Sequence, residues 1–276
     1  MDRQLIESRK AEVERRFGPW SAHNILLAAD LYTMGKGVAG DEVKLRRILQ
    51  TVADAWRGPL AGMRVLDLAC LEGLYAVEFA RHGARVLGIE GRLPNIEKAR
   101  FAREALALHS LELVQDDVRN LSRKKHGAFD AVLCLGILYH LDAPDVFAFI
   151  ERVAEVCEGF ALFDTHVSLA AERSHAYKGR TYWGRSYREH DPASSAEHRA
   201  GQLWASLDNV DSFWLTRASL CNALSHAGFT SIQDCVTPPE GEKPADRVTL
   251  LAFKGQRQPL LSSPLLSAQP IEDLRD

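Results

Sequence analysis

The sequence lacks any apolar run of about 18 residues, the length that a membrane-spanning helix needs. Residues 1–17 alternate acids and bases without the apolar core of a secretory signal, so we expect a cytoplasmic protein with no membrane partner. A basic excess is also missing. The net charge is -3 and no basic stripe is present, which argues against nucleic acid as a partner.

Cysteines are few, and none forms a C-x-x-C pair. The five cysteines lie scattered in apolar stretches, which favours buried free thiols over a zinc knuckle or a disulfide framework. Asp164 and His166 in "FDTH" have no further metal-ligand motif beside them. We therefore predict no metal site.

The composition itself is typical of a globular protein, with 46% hydrophobic and 26% charged residues in 276. Apolar residues at helical spacing predict helices over 2–17, 21–32 and 41–56. We assign residues 1–58 to an N-terminal helical cap.

From Met63 onward, short apolar runs alternate with amphipathic helices. The predicted strands are 63–69, 84–90, 111–115, 129–138 and 159–167, and the predicted helices are 74–82, 93–108 and 144–156. Alternation at this length implies parallel strands joined by right-handed crossovers. Residues 59–167 are thus predicted to form an α/β core with a doubly wound, mostly parallel sheet.

The alternation stops after residue 167. Residues 168–212 are rich in Tyr, Trp, Arg and His, and we interpret them as an inserted lid segment that binds substrate. A helix capped by Thr216 and two apolar runs at 230–236 and 247–254 then predict that residues 213–254 close the sheet with an antiparallel pair. Residues 255–276 are expected to be a weakly ordered tail.

Acidic residues follow the first three strands of this core. Asp67 ends the first strand, Glu90 ends the second and Asp117 follows the third. Ligands of doubly wound sheets bind at the carboxyl ends of the strands, and a carboxylate suits the two hydroxyls of a ribose. Alternatively, Asp67 and Asp117 cap turns and Glu90 is a solvated acid.

The stretch 67–73, "DLACLEG", resembles the D-x-G-x-G-x-G motif of class I S-adenosylmethionine-dependent methyltransferases. The resemblance covers about residues 63–167 and, more loosely, the last three elements. It implies a Rossmann-like seven-stranded sheet with S-adenosylmethionine as cofactor. The turn would face the methionine part, Glu90 the ribose, Asp117 and Val118 the adenine, and Leu135 and Gly136 the far side. The implied cofactor-binding residues are Asp67, Ala69, Cys70, Leu71, Gly73, Glu90, Gly91, Asp117, Val118, Leu135 and Gly136.

Two glycines of that motif are replaced by Ala69 and Leu71. Alanine adds only a methyl group, whereas leucine predicts an ordinary backbone conformation at position 71 with its side chain directed away from the cofactor. The G-x-G-x-x-G cradle of nicotinamide enzymes is absent, which disfavours that alternative.

Methyl transfer requires an aligned nucleophile and, for many acceptors, a base. His140 is the candidate general base or substrate orienter, because imidazole titrates near neutrality. Tyr139 and Tyr182 are candidates for packing on the sulfonium. Alternatively, His140 is a structural histidine and Tyr139 belongs to the core.

Further aromatic and polar residues complete the predicted substrate and lid set: Trp20, His23, Asn24, Tyr32, Trp183, Arg188, Trp204 and Asn209. The first four belong to a helix that could close over the pocket, and the others belong to the insertion. The alternatives are a helix that covers a sheet edge, and a surface loop or a contact in a homodimer.

The leading hypothesis is a methyltransferase that acts on a small molecule. A second hypothesis uses the same pocket to cyclise the cofactor into azetidine-2-carboxylate and methylthioadenosine. A third is tRNA modification, because "CLGILYHLDAP" resembles a stretch of a family that modifies wobble uridine in transfer RNA. A non-catalytic cofactor-binding protein is the fourth.

Overall fold

The computed structural model of the chain describes residues 1–35, 39–235 and 245–256. The helices are α1 (Arg3–Phe17), α2 (Ala39–Trp56), α3 (Leu74–Arg81), α4 (Leu93–Ala105), α5 (Arg123–His126), α6 (Asp145–Val156), α7 (Ala196–Gly201) and α8 (Arg217–His226). The strands are β1 (Leu26–Ala28), β2 (Leu31–Tyr32), β3 (Arg64–Leu68), β4 (Arg85–Glu90), β5 (Leu111–Gln115), β6 (Phe129–Leu135), β7 (Cys157–His166), β8 (Arg173–Tyr177), β9 (Arg180–Arg188), β10 (Asp211–Leu215), β11 (Ser231–Asp234) and β12 (Arg247–Phe253).

The central sheet has seven strands in the order β11-β12-β7-β6-β3-β4-β5. Strands β3 to β7 pair in parallel, and β12 is antiparallel to both β7 and β11. The predicted doubly wound, mostly parallel seven-stranded sheet is confirmed, as is the antiparallel closing pair. The chain leaves β3 toward β4 on one side and returns to β6 on the other, which places a topological switch point at the carboxyl end of β3.

Helices cover both faces of the sheet, as the nearly continuous apolar strands require. Along β3, Val65 packs into the hydrophobic layer on the α2, α3 and α4 side, whereas Leu66 and Leu68 pack into the layer with α6 and α8. All three side chains are fully buried. This strand therefore lies at the centre of the core and fixes the position of the turn that follows it.

The insertion contains most of a three-stranded antiparallel sheet. Strands β8, β9 and β10 pair in the order β10-β9-β8, and the predicted boundary at residue 212 falls inside β10. Alternation along β9 buries Tyr182 and exposes Trp183. A Cβ at Gly184 would lie 2.2 Å from the carbonyl oxygen of Trp214, so this sheet requires glycine there.

The predicted helix over residues 21–32 is wrong. The chain there is extended and ends in the β1–β2 hairpin. The backbone N–H groups of Ser21, Ala22 and His23 donate to the Glu72 carboxylate at 3.0, 2.9 and 2.9 Å. These long-range bonds replace the bonds that a helix would make, and they tie the segment to the core. The helices predicted over 2–17 and 41–56 are confirmed as α1 and α2.

The C-terminal elements follow the predicted pattern. The Thr216 side chain caps α8 by accepting from the Ser219 N–H, and Gly228 has a positive φ of 107° after the helix. From residue 257 onward the predicted tail at 255–276 lies outside the described residues. Within the described ranges, no helix combines the length and apolarity that crossing a bilayer demands.

Candidate active site

A cavity of ≈ 390 Å³ opens at the carboxyl ends of β3, β4 and β6. This is the switch point at which doubly wound sheets bind ligands. Its walls come from the core, the N-terminal segment and the insertion. The residues that line it include Ala22, His23, Lys44, Ala69, Leu71, Glu90, Gly91, Arg92, Asp117, Val118, Arg119, Leu135, Gly136, Tyr139, His140, Trp204, Ser206, Leu207, Asp208, Asn209 and Arg247.

The turn after β3 has the left-handed backbone conformation that favours glycine, although Ala69 and Leu71 occupy two glycine positions of the motif. Ala69 has a φ of 54° and Leu71 a φ of 48°, so the ordinary backbone predicted at Leu71 is wrong. The Leu71 N–H donates to Glu90 Oε2 at 3.0 Å, and the Cys70 N–H donates to the Ile89 carbonyl at 3.0 Å. Bonds to β4 thus hold a left-handed turn that costs about 1–2 kcal/mol per non-glycine residue. Such strain is typical of ligand-binding turns.

Glu90 is a buried acid at the cavity wall. It is only 2% exposed, so the solvated-acid alternative is wrong. Its carboxylate accepts from the Leu71 N–H, from the Arg92 N–H at 2.9 Å and from Asn95 Nδ2 at 3.3 Å. Burial raises its pKa, and these bonds oppose that shift. A carboxylate has about four lone-pair sites and these three donors occupy three of them, so one acceptor site remains at the cavity wall.

Three predicted cofactor residues support the turn from behind and do not line the cavity. Asp67 is buried and accepts from the Ala76 N–H at 3.1 Å, and burial, with a smaller effect from nearby Glu90, raises its pKa to about 7. Cys70 is buried beneath the turn, where burial raises the pKa of its thiol. At Gly73, which precedes α3, an added Cβ would lie 2.9 Å from Ala99 Cβ.

Asp117 both caps a turn and borders the cavity. Its Oδ1 accepts from the Arg119 N–H at 2.8 Å, and its carboxylate pairs with the Arg119 guanidinium at 2.5 Å. Val118 lines the same wall, and Leu135 and Gly136 line the wall at the end of β6. The structure therefore brings together the residues predicted for the adenine and for the far side of the cofactor.

His140 pairs with an acid from the insertion. Its Nδ1 lies 3.0 Å from Glu189 Oε2, and the Glu189 side chain is 1% exposed. Burial opposes ionisation of Glu189, but hydrogen bonds from His140 and from the Ser206 N–H keep its pKa below the ordinary value. The sequence analysis missed Glu189, because nothing near it in the chain indicates its partner. Nε2 of His140 has no hydrogen-bond partner within the described part of the chain.

A charged cluster lies beside this pair. Arg247 stacks over the Tyr139 ring at 5.4 Å, and its Nε donates to Asp164 Oδ1 at 2.8 Å. Lys44 Nζ lies 3.1 Å from the same oxygen. Burial by itself would raise the pKa of Asp164, but the two nearby cations outweigh burial and lower that pKa to about 2. Lys44 and Arg247 both line the cavity, and the sequence analysis missed them because each comes from a distant element.

His23 joins the N-terminal segment to the cavity. The Leu74 N–H donates to His23 Nδ1 at 3.1 Å, and burial lowers the pKa of this imidazole to about 4. Of the other residues predicted here, Trp20 packs on Phe101 at 5.7 Å, and Asn24 accepts from the Met34 N–H at 3.0 Å. Trp20, Asn24 and Tyr32 do not line the cavity, because the segment is extended and not helical.

Tyr182 lies away from the cavity and is not a sulfonium contact. Its ring packs on Phe147 at 4.7 Å, and its hydroxyl meets His226 Nδ1 at 2.9 Å. Trp183 is exposed, and Arg188 pairs with Asp211 at 2.9 Å, so neither lines the cavity. Of the residues predicted from the insertion, Trp204 and Asn209 do line it.

Within the described residues, no group of three His, Cys, Asp or Glu side chains is arranged to hold a metal ion. His166, which the sequence places beside Asp164, instead contacts Asp246 through Nδ1 at 3.0 Å. Its ring stacks on Trp214 at 4.9 Å. These contacts give His166 a structural environment next to Tyr139.

Residues 65–159 match a family model described as "Methyltransferase domain". The ubiquinone biosynthesis O-methyltransferase of Acinetobacter baylyi is 35% identical over 91 residues, which cover 33% of this chain and 38% of that protein. The enzyme of the same name from Xanthomonas campestris pv. campestris is 39% identical over 116 residues, covering 40% and 45%. The chain thus spans less than half the length of these curated relatives.

Among solved structures, the N-terminal domain of EvdMO1 in the presence of S-adenosylhomocysteine (SAH) and D-fucose is 28% identical, with a TM-score of 0.71 over 92% of this chain and 98% of that one. Magnesium protoporphyrin IX methyltransferase from Synechocystis with bound SAH, at 17% identity and a TM-score of 0.54 over 92% and 98%, shares the fold. Residues 65–159 therefore match a methyltransferase domain, and the chain shares the fold of these two solved structures.

Proposed function

We propose that the protein transfers the methyl group of S-adenosylmethionine to a hydroxyl oxygen of a small molecule. The observation that carries this proposal is the His140–Glu189 pair at one end of a cavity whose other end holds Glu90 and Asp117. A base beside a cofactor site is what hydroxyl methylation needs, because a neutral hydroxyl is a weak nucleophile.

The residues present suit the cofactor. The buried Glu90 carboxylate would hold the ribose, and Asp117 and Val118 would border the adenine. The turn with Ala69 and Leu71 would lie next to the methionine part of the cofactor. When bound, the cofactor supplies an electrophilic methyl group.

His140 would take the proton of the acceptor hydroxyl on Nε2. Glu189 accepts from Nδ1–H, which fixes the tautomer that leaves Nε2 free as a base and stabilises the imidazolium that forms. Tyr139, held between His140 and the Arg247 guanidinium, would orient the acceptor. The N-terminal segment and the insertion would exclude water from the cavity.

The walls of the cavity support a small acceptor. Ala22 and His23 form one wall, and Trp204 and Asn209 form another, so the opening is bordered by chain on both sides. The related ubiquinone enzymes are named O-methyltransferases, and the EvdMO1 domain was crystallised in the presence of a sugar. Both names agree with a hydroxylated small molecule as acceptor.

The test is incubation of the protein with methyl-labelled S-adenosylmethionine and panels of sugars, phenols and transfer RNA, followed by mass spectrometry. We expect SAH together with a methyl ether on a small hydroxylated compound. Methylthioadenosine formed without any acceptor would overturn the proposal in favour of cofactor cyclisation. Label found only on transfer RNA would overturn the choice of a small acceptor.

A further inference from the structure

Each of the two cofactor-side acids is followed two residues later by an arginine. The Arg92 N–H donates to Glu90 Oε1 at 2.9 Å, and the Arg119 N–H donates to Asp117 Oδ1 at 2.8 Å. Both guanidinium groups then reach the same part of the insertion, residues 200–209, which we call the cover loop. The acids and the cover loop are therefore joined by two short connections.

Arg92 makes the more extensive connection. Its Nε donates to the Ala200 carbonyl at 3.1 Å, and its Nη2 lies within hydrogen-bond distance of three more carbonyls. Those distances are 2.8 Å to Gln202, 2.9 Å to Ala205 and 3.1 Å to Ser206. A planar guanidinium with five N–H donors suits such a cluster of carbonyls, which a lysine could satisfy only in part.

The second connection and a packing contact hold the same loop. Arg119 Nη2 donates to Asp208 Oδ2 at 2.6 Å. A Cβ at Gly91 would lie 3.2 Å from Leu207 Cδ2, so the loop lies directly against the residue after Glu90. The cover loop thus closes the nucleoside end of the cavity.

The other side of the cover loop contacts the catalytic pair. The Ser206 N–H donates to Glu189 Oε2 at 2.9 Å, and Asn209 Nδ2 donates to the His140 carbonyl at 3.0 Å. The Ser206 carbonyl therefore accepts a hydrogen bond from Arg92, and the Ser206 N–H donates one to Glu189. One residue links the two ends of the cavity.

We infer that Arg92 is a positioning residue that holds the cover loop over the nucleoside and, through Ser206, fixes Glu189 against His140. The second half of this inference rests on the proposed function, and the first half does not. Removing the guanidinium leaves carbonyls of a partly buried loop without their donor, which favours an open loop.

The test compares Arg92→Met with Arg103→Met. Arg103 lies on α4, the helix that begins directly after Arg92, and its guanidinium is 3.9 Å from Glu104 at the surface. We expect Arg92→Met to weaken SAH binding about tenfold in calorimetry and to speed tryptic cleavage after Arg199 about tenfold in the presence of SAH. Arg103→Met should change neither, and Arg92→Lys should fall between. Unchanged affinity and cleavage in a folded Arg92→Met would overturn the inference.

A second comparison tests the link to the base. Arg92→Met and Glu189→Gln are combined, and kcat of the double variant is compared with each single variant. If Arg92 acts through Glu189, the double variant loses little more than Glu189→Gln alone. Losses that multiply would overturn this link. Absence of SAH production in every variant, wild type included, would instead disprove the proposed function, and affinity and cleavage would still decide the role of Arg92.

Discussion

The two ends of the cavity are built in different ways. At the nucleoside end, Glu90, Asp117 and Gly136 each lie within two residues of the carboxyl end of a parallel strand. The acceptor end is built from three separate parts of the chain. Lys44 comes from α2, Glu189 from the insertion and Arg247 from the antiparallel strand β12. The sheet topology places the acids of the nucleoside end, whereas the acceptor end depends on how separate parts of the chain pack together.

This difference teaches where chemical specificity can vary. Parallel strands bring their carboxyl ends to one edge whatever the loops contain. The acceptor end has no such constraint, so a change in the insertion outside the cover loop can alter the acceptor while the acids of the nucleoside end stay in place. If the two ends are separate, a substitution at one end leaves the property measured at the other end unchanged.

His140→Ala addresses the acceptor end. We expect kcat to fall about 10²–10⁴-fold, because the base is lost, while the Kd of SAH from calorimetry stays the same. His109→Ala, on the exposed surface, is the control and should leave both unchanged. An unchanged kcat together with weaker SAH binding in His140→Ala would place His140 at the nucleoside end, and the two ends would then not be separate.

Glu90→Gln addresses the nucleoside end. We expect SAH to bind about 10–100-fold more weakly, because a charge-assisted acceptor for the ribose is lost. Glu112→Gln, at an exposed position of β5, should bind SAH normally. Calorimetry makes the comparison, and equal affinities in the two variants would show that Glu90 only supports the turn.

His23→Gln tests the N-terminal wall through pH. The folded-state pKa of His23, about 4, lies below the ordinary value of 6.5, so its contribution to stability is present above pH 6.5 and is lost as the pH falls toward 4. Between pH 7 and pH 5 the wild type should lose about 2 kcal/mol of unfolding free energy that the variant does not lose. Urea titrations at both pH values measure this, with His109→Gln as the control. Parallel losses in His23→Gln and wild type would contradict a buried neutral imidazole.

Ala69→Gly gives the smallest effect. Because Ala69 has a φ of 54°, glycine should relieve the left-handed strain and stabilise the fold by about 0.5–1 kcal/mol after the entropic cost of glycine. Ala76→Gly, inside α3, should destabilise it by about 1 kcal/mol. Urea unfolding compares the two variants. A destabilised Ala69→Gly would show that the methyl group packs in the turn and that strain is not the dominant effect there.

The sequence predicted the sheet, the closing pair and the position of Glu90 and Asp117 at strand ends, because hydrophobic periodicity and strand ends are local properties. It failed at Leu71, whose left-handed backbone is imposed by bonds to the neighbouring strand. It also failed at residues 21–32 and Tyr182, because partners far along the chain decide their conformation or burial. Glu189 has no local signal, since its role comes from packing against His140.

The buried Glu72 carboxylate has a consequence for the motions of the N-terminal segment. Glu72 is 0% exposed, pairs with Lys98 at 3.0 Å and receives the N–H groups of Ser21, Ala22 and His23. Peeling the segment away would leave a carboxylate without three of its donors inside the protein, which is costly. These three amides should therefore exchange with deuterium from solvent as slowly as the central strands, in one cooperative unit with the core, although they lie in a segment without regular structure.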